Sequence, residues 1–199
     1  MRVVLASNNR GKLAELQPLL ADRGLDLVSQ GELGVDPAPE DGLTFLENAI
    51  AKARHVCRAV GLPAIADDSG LVVPALGGRP GIRSARYAGD NATDEENNAR
   101  LITELAEVQD RRAHFYCALV FLRGAEDPAP LVATGRWHGS IVSQPRGVAG
   151  FGYDPHFLVE TLGRTAAELE PAVKNRLSHR GQATAALIAQ FTGTPQRQR

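Results

Sequence analysis

Apolar positions along the chain fall into short runs that alternate with stripes at helical spacing. Residues 2 to 6 form an apolar run that predicts a buried strand, after which Leu13, Leu16, Leu19 and Leu20 recur as on one face of a helix, with Gly24 placed to stop it. Residues 26 to 29 predict a second strand, and Gly34, Val35, Asp36, Pro37, Ala38 and Pro39 predict a loop. Thr44 and Glu47 have the spacing of a capping box, in which the threonine hydroxyl and the glutamate each satisfy an orphan backbone donor. They open a helix whose apolar stripe Leu46, Ile50, Ala53, Cys57 and Val60 runs up to Gly61.

Ala64, Ile65 and Ala66 predict a short strand that ends in Asp67-Asp68-Ser69-Gly70, with Leu71 to Val73 resuming as another. Gly77-Gly78-Arg79-Pro80-Gly81 reads as an exposed connection. Thr93 and Glu96 repeat the capping box before a helix carrying Leu101, Ile102 and Leu105. Residues 113 to 122 give the longest strand, with Phe115, Cys117, Leu119 and Phe121 on one side, and residues 131 to 142 its antiparallel partner. Thr165 and Glu168 open a short helix, Ala183 to Phe191 make a C-terminal one, and residues 192 to 199 read as a disordered tail. Parallel and antiparallel signals interleaved with helices predict an α/β fold with a mixed sheet.

Composition changes this picture in two ways. At 199 residues with 43% hydrophobic side chains, the chain fits one domain or a closely joined pair and can bury a substantial core. Lys and Arg number 22 against 23 Asp and Glu, so there is no global positive field for a nucleic acid polymer, and a phosphate partner must be held locally. Cys57 and Cys117 lie inside apolar segments without metal-ligand spacing and read as reduced core residues. With no signal-peptide pattern and no membrane-spanning apolar run, the expected location is the cytoplasm.

Candidate chemistry sits at the ends of these elements. Ser7, Asn8, Asn9, Arg10, Gly11 and Lys12 occupy a strand-to-helix junction, where unpaired N–H groups and the helix dipole favour an anion; an Asn or Ser cap beside a solvated lysine is the plain alternative. The Asp67-Asp68 pair lies at a strand end, where α/β folds place their sites, although such a sequence also makes an Asx turn. Side chains at consecutive strand positions face opposite ways, and the spacing does not choose between the two carboxylates. Glu40 and Asp41 precede the helix that carries Asn48 and Lys52 one turn apart on its polar face, and a carboxylate there suits Mg²⁺. Phe151 between Gly150 and Gly152, followed by Tyr153 and Asp154, offers a ring for a nucleobase or a core residue in a hairpin. Lys174 and Ser178-His179-Arg180-Gly181 gather donors at a helix boundary.

Taken together, the stretches LASNNRGKLAEL, GLTFLENAIAKA, AIADDSGL, PGIRSARYAG, GFGYDP and LSHRGQA resemble the inosine triphosphatase family, pyrophosphatases of non-canonical purine nucleoside triphosphates, over residues 2 to 190. The resemblance implies a long mixed sheet with flanking helices in two lobes around a central cleft, a single catalytic domain over 1 to 199, and a homodimer. It implies that ITP, dITP and XTP are hydrolysed to the monophosphate and pyrophosphate with Mg²⁺. By the same resemblance, Ser7 to Lys12 hold the triphosphate and Asp68 is the catalytic acidic residue. Glu40 and Asp68 attend the metal, and Lys52 and Ser69 contact substrate. Phe151, Gly152, Tyr153 and Asp154 bind the base, joined by Lys174, His179 and Arg180. Arg180 and His179 would donate to the 6-oxo group that hypoxanthine and xanthine carry and adenine lacks. His156, and Pro171 with Val173, depart from the family pattern. The rivals are a related pyrophosphatase for other bases, a nucleotide sensor without turnover and a nucleic-acid-binding module.

Overall fold

The structure, a computed structural model, describes residues 1–21 and 23–192. Strand β1 (Arg2–Leu5) is buried from Val3 onward and pairs in parallel with β2 (Asp26–Ser29), Val3 opposite Leu27. On its other side it pairs in parallel with β3 (Ala64–Val72), Leu5 opposite Ile65. The longest strands are β4 (Arg112–Leu122) and β5 (Leu131–Ile141), and two short ones, β6 (Phe157–Val159) and β7 (Arg164–Thr165), close the series. These seven form one sheet in the order β2-β1-β3-β4-β5-β6-β7. The β5–β6 and β6–β7 pairs are antiparallel, so the sheet is mixed as the sequence predicts.

The helices are α1 (Arg10–Ala21), α2 (Phe45–Val60), α3 (Asp94–Glu104), α4 (Pro171–Leu177) and α5 (His179–Thr192). Both capping boxes predicted for long helices form, Thr44 with Glu47 and Thr93 with Glu96. The third, Thr165 with Glu168, forms on a single 3₁₀ turn, Ala166–Glu168. Helix α5 begins at His179, four residues before the predicted start, and takes in Thr192; the rest of the predicted tail lies outside the described residues. No described helix is long and apolar enough to cross a membrane.

By contacts the chain divides into two units. The first comprises Met1–Asp68, Cys117–Gly135 and the chain from Arg180, with a core of Leu5, Leu16, Leu20, Ile65, Leu119 and Leu187. The second comprises Ser69–Tyr116 and Arg136–His179. Its core gathers Leu71, Leu101 and Leu105 with an aromatic cluster in which Phe115 and Trp137 flank Phe157 at ring-centroid distances of 4.6 and 5.3 Å.

Two local expectations are corrected. The strand predicted to stop at Ala66 runs on through Asp67-Asp68-Ser69-Gly70 to Val72, because tertiary partners satisfy both carboxylates inside the sheet. The buried face of α2 is Asn48, Ala49, Lys52, Ala53, Val56 and Cys57, rotated from the predicted stripe, and Leu46 is exposed. Asn48 and Lys52 therefore lie on the inward face rather than the solvated one.

Gly70 shows how tightly β3 is seated in the second unit. A Cβ there would meet the Ser84 hydroxyl and would lie 2.5 Å from the Gly81 carbonyl oxygen. That hydroxyl accepts from the Leu71 N–H at 2.9 Å and donates to the same carbonyl at 2.6 Å, so it cannot yield without breaking both bonds. Gly70→Ala should destabilise the fold by about 1–3 kcal/mol through overpacking. Urea unfolding should show a lower midpoint at an unchanged m-value.

Candidate active site

The junction between β1 and α1 is built as a helix cap. Asn9 precedes the helix, and its Oδ1 accepts from the Lys12 N–H at 3.0 Å, while Ser7 Oγ accepts from the Asn9 N–H at 3.1 Å. Asn8, Asn9 and Arg10 are exposed, whereas Ser7, Gly11 and Lys12 are half-buried. Asn9 thus caps the helix, and the side chain of Lys12 turns inward rather than into solvent.

Lys12 ends on Asp67. Its Nζ lies 2.5 Å from Asp67 Oδ1 and also donates to the Asp67 backbone carbonyl at 3.3 Å. Asp67 has no accessible surface, and its Oδ2 accepts from Arg180 Nε at 2.8 Å and from Cys117 Sγ at 3.2 Å. Arg180 in turn pairs with Glu15. Burial opposes ionisation of Asp67, but the pull of Arg180 and Lys12 and their hydrogen bonds outweigh it and hold the carboxyl well below the ordinary 3.8.

Its neighbour behaves oppositely. As alternation along a strand requires, Asp68 meets a separate set of partners. Its Oδ1 accepts from Lys52 Nζ at 2.7 Å and its Oδ2 from Asn48 Nδ2 at 3.2 Å, both from the inward face of α2. Asn48 is oriented by the Gly42 N–H, which donates to its Oδ1 at 2.8 Å, so the amide presents its N–H₂ to Asp68. Lys52 Nζ also donates to Glu40 Oε1 at 2.9 Å. Burial raises the Asp68 pKa more than Lys52 lowers it, and the charge of Glu40 adds to the rise. Lys52 is likewise raised, because the two carboxylates facing it outweigh its own burial.

In the second unit, the loop bearing Phe151 is fastened from both ends. Asp154 Oδ2 accepts from Lys174 Nζ at 2.6 Å and from the Phe151 N–H at 2.9 Å, and the Lys174 ammonium stands 5.1 Å from the centre of the Phe151 ring. Gly150, at φ +82°, brings its backbone so close to that carboxylate that a Cβ has no room. The Gly152 N–H donates to Asp94 Oδ2 at 2.6 Å, and Asn98 Nδ2 donates to the Gly152 carbonyl at 2.9 Å. Tyr153 is buried, with its hydroxyl on the Ser84 carbonyl at 2.8 Å. Phe151 lines a cavity of about 510 Å³ with Asn98, Ile102, Val148 and His156. His179 stacks on Phe115 at 4.8 Å with the rings 13° apart.

The other expected site residues are placed as follows. Tyr153 and Asp154 are buried struts of the loop, and Ser69 is half-buried on β3. Arg180, expected at the base beside His179, pairs with Asp67 and Glu15 in the first unit. Sequence reasoning missed Glu15 and Cys117 as members of these clusters, and singled out Asp67 and Asn48 without giving either a role. Glu15 carried a signal, three residues beyond Lys12 on the same helix, and Asn48 shares the α2 face with Ala49, Ala53 and Val56. Nothing in the sequence marked Cys117.

Two adjacent carboxylates with pKa values displaced in opposite directions thus stand beside clustered cations on this open mixed α/β sheet. The chain belongs to the Ham1 family, whose model matches residues 3–190, nearly the span of the resemblance read from the motifs. A dITP/XTP pyrophosphatase of Burkholderia pseudomallei is 60% identical over 193 residues, covering 96% of this chain and 93% of the relative. One of Shigella flexneri is 58% identical over 189 residues, covering 94% and 96%. Among solved structures, a HAM1 protein from Coxiella burnetii superposes with a TM-score of 0.90 at 48% identity, over 98% of this chain and 100% of that one.

Proposed function

We propose that this chain hydrolyses dITP and XTP, the substrates its relatives are named for, and with them ITP, to the monophosphate and pyrophosphate. The observation that carries the reading is the split between Asp67 and Asp68. A carboxyl raised above its ordinary value, held by Lys52 and Asn48, has the basicity to take a proton from an attacking water, while its ionised neighbour keeps Lys12 in place. Phosphoryl transfer asks mainly for positioning and charge neutralisation. Lys12 and the first-turn N–H groups of Arg10 and Gly11 suit the triphosphate, and Lys52 suits the charge that develops on it.

The residues present fit Mg²⁺. Glu40 and Asp68 converge on one point, the Lys52 ammonium, at 2.9 and 2.7 Å, and Mg²⁺ takes one or two protein carboxylates and completes its shell with phosphate oxygens and water. Bound beside them, the ion would be held by Glu40 and Asp68 and would neutralise phosphate charge. In the second unit, Phe151 offers a ring face to a purine, and recognition of the 6-oxo group falls to Lys174 and His179 in place of Arg180. A homodimer and a cytoplasmic location belong to the same reading.

Pyrophosphate release measured across dITP, ITP, XTP, ATP and GTP, with and without Mg²⁺, tests it. Turnover should be selective for the 6-oxo purines lacking a 2-amino group and should require the ion. Equal turnover of ATP, or none of any purine triphosphate, would overturn it.

A further inference from the structure

Cys117 read from sequence as a core residue, yet its thiol faces a charge. Asp67 is fully buried and takes Lys12 on Oδ1, with Arg180 Nε and Cys117 Sγ together on Oδ2. Glu15 holds Arg180 from the other side. The result is a chain of contacts, Glu15 to Arg180 to Asp67 to Lys12, with Cys117 joined at its centre. Arg180, Asp67 and Cys117 are buried, and Lys12 keeps 15% of its side chain exposed at the start of α1.

An aspartate carboxylate can exchange its two oxygens by turning about χ2, a broad and soft torsion. A lysine ammonium on four flexible carbons goes wherever its partner oxygen goes. Two donors on Oδ2, from α5 and from β4, remove that freedom and leave Oδ1 and the Asp67 carbonyl to receive Lys12. Burial and the Asp67 charge both keep the thiol protonated, so Cys117 donates a hydrogen bond without adding a charge.

We propose that Cys117, with the Glu15–Arg180 pair, is a positioning residue for phosphate binding: it pins Asp67 so that Lys12 is presented at the N-terminus of α1. This rests on the assignment of Lys12 to the triphosphate under the proposed function. It gives Cys117 and Glu15, which lie outside the expected site, a place in the reaction.

The test compares Cys117→Ala, Cys117→Ser and Glu15→Gln in the full chain, by KM and kcat for XTP and by calorimetric binding of inorganic tripolyphosphate, both with Mg²⁺. Losing a hydrogen bond to a buried charge should weaken tripolyphosphate binding and raise KM by about 3- to 10-fold in Cys117→Ala, with kcat changed less. Serine, which also donates, should restore both. In a Lys12→Met background Cys117→Ala should have no further effect on tripolyphosphate binding, because contacts acting through one residue are not additive. Unchanged binding in a folded Cys117→Ala variant, or the same loss with and without Lys12, would overturn the proposal. Should Cys117→Ala fail to fold, Glu15→Gln decides, with weaker tripolyphosphate binding expected and unchanged binding overturning. An unsubstituted chain that binds tripolyphosphate but releases no pyrophosphate would count against the proposed function and leave this inference standing.

Discussion

Asp68→Asn should lower kcat for pyrophosphate release by roughly 10²- to 10⁴-fold, the usual loss when a general base is removed. The substitution is nearly isosteric. Its oxygen can still accept from Lys52, which also keeps its bond to Glu40. The new amide would face Asn48 Nδ2, and Asn48 cannot turn to accept without giving up the Gly42 N–H, so stability should fall by about 1 kcal/mol. The two effects are separable: unfolding reports the small one, turnover the large one. The pH profile adds a third readout. The base form of Asp68 is required and its pKa lies above the ordinary 3.8, so the rate of the unsubstituted chain should climb with pH through that raised value, and the climb should vanish in the variant. A folded Asp68→Asn variant with near-normal kcat would move the base to Glu40.

Arg180→Met should cost about 3–5 kcal/mol at neutral pH, because removing one partner of a buried pair leaves the other charge uncompensated. Arg180 serves two carboxylates, Asp67 with no accessible surface and Glu15. The sign with pH follows from Asp67. Its pKa in the folded chain lies well below the ordinary 3.8, so its stabilisation is fully present above that value and is lost as pH falls toward the folded one. The loss caused by Arg180→Met should therefore be largest near pH 7 and shrink toward about pH 3. Urea unfolding at both values checks this; an equal loss at the two would mean that Arg180 contributes packing rather than charge. Selectivity supplies a separate readout. If Arg180 supports Lys12 through Asp67, folded Arg180→Met protein should lose activity on dITP and ATP in the same proportion, whereas a base-reading arginine would change their ratio.

The parts of this protein that were legible in its sequence share a short range. Three capping boxes formed where threonine and glutamate stand three residues apart, since both partners lie within one helical turn. The mixed sheet and most of its strands followed from periodicity and from the apolar runs, while β3 runs past its predicted end and α5 begins before its predicted start. The motif stretches carried the family.

What the sequence left open was the partner of each buried charge. Two aspartates in an apolar run look like the end of a strand, and an asparagine and a lysine one turn apart look like a solvated helix face; each reading is right for a residue whose partner is water. Here the partners are other side chains: Lys12 meets Asp67 from 55 residues away, Cys117 from 50 and Arg180 from 113, while Lys52 meets Asp68 from 16. Burial of a charge is tolerated when an opposite charge is brought to it. Local pattern therefore determined the elements, the caps and the family, and tertiary structure alone decided that β3 continues through its aspartates, that α2 turns its polar pair inward, and that Arg180 belongs to Asp67.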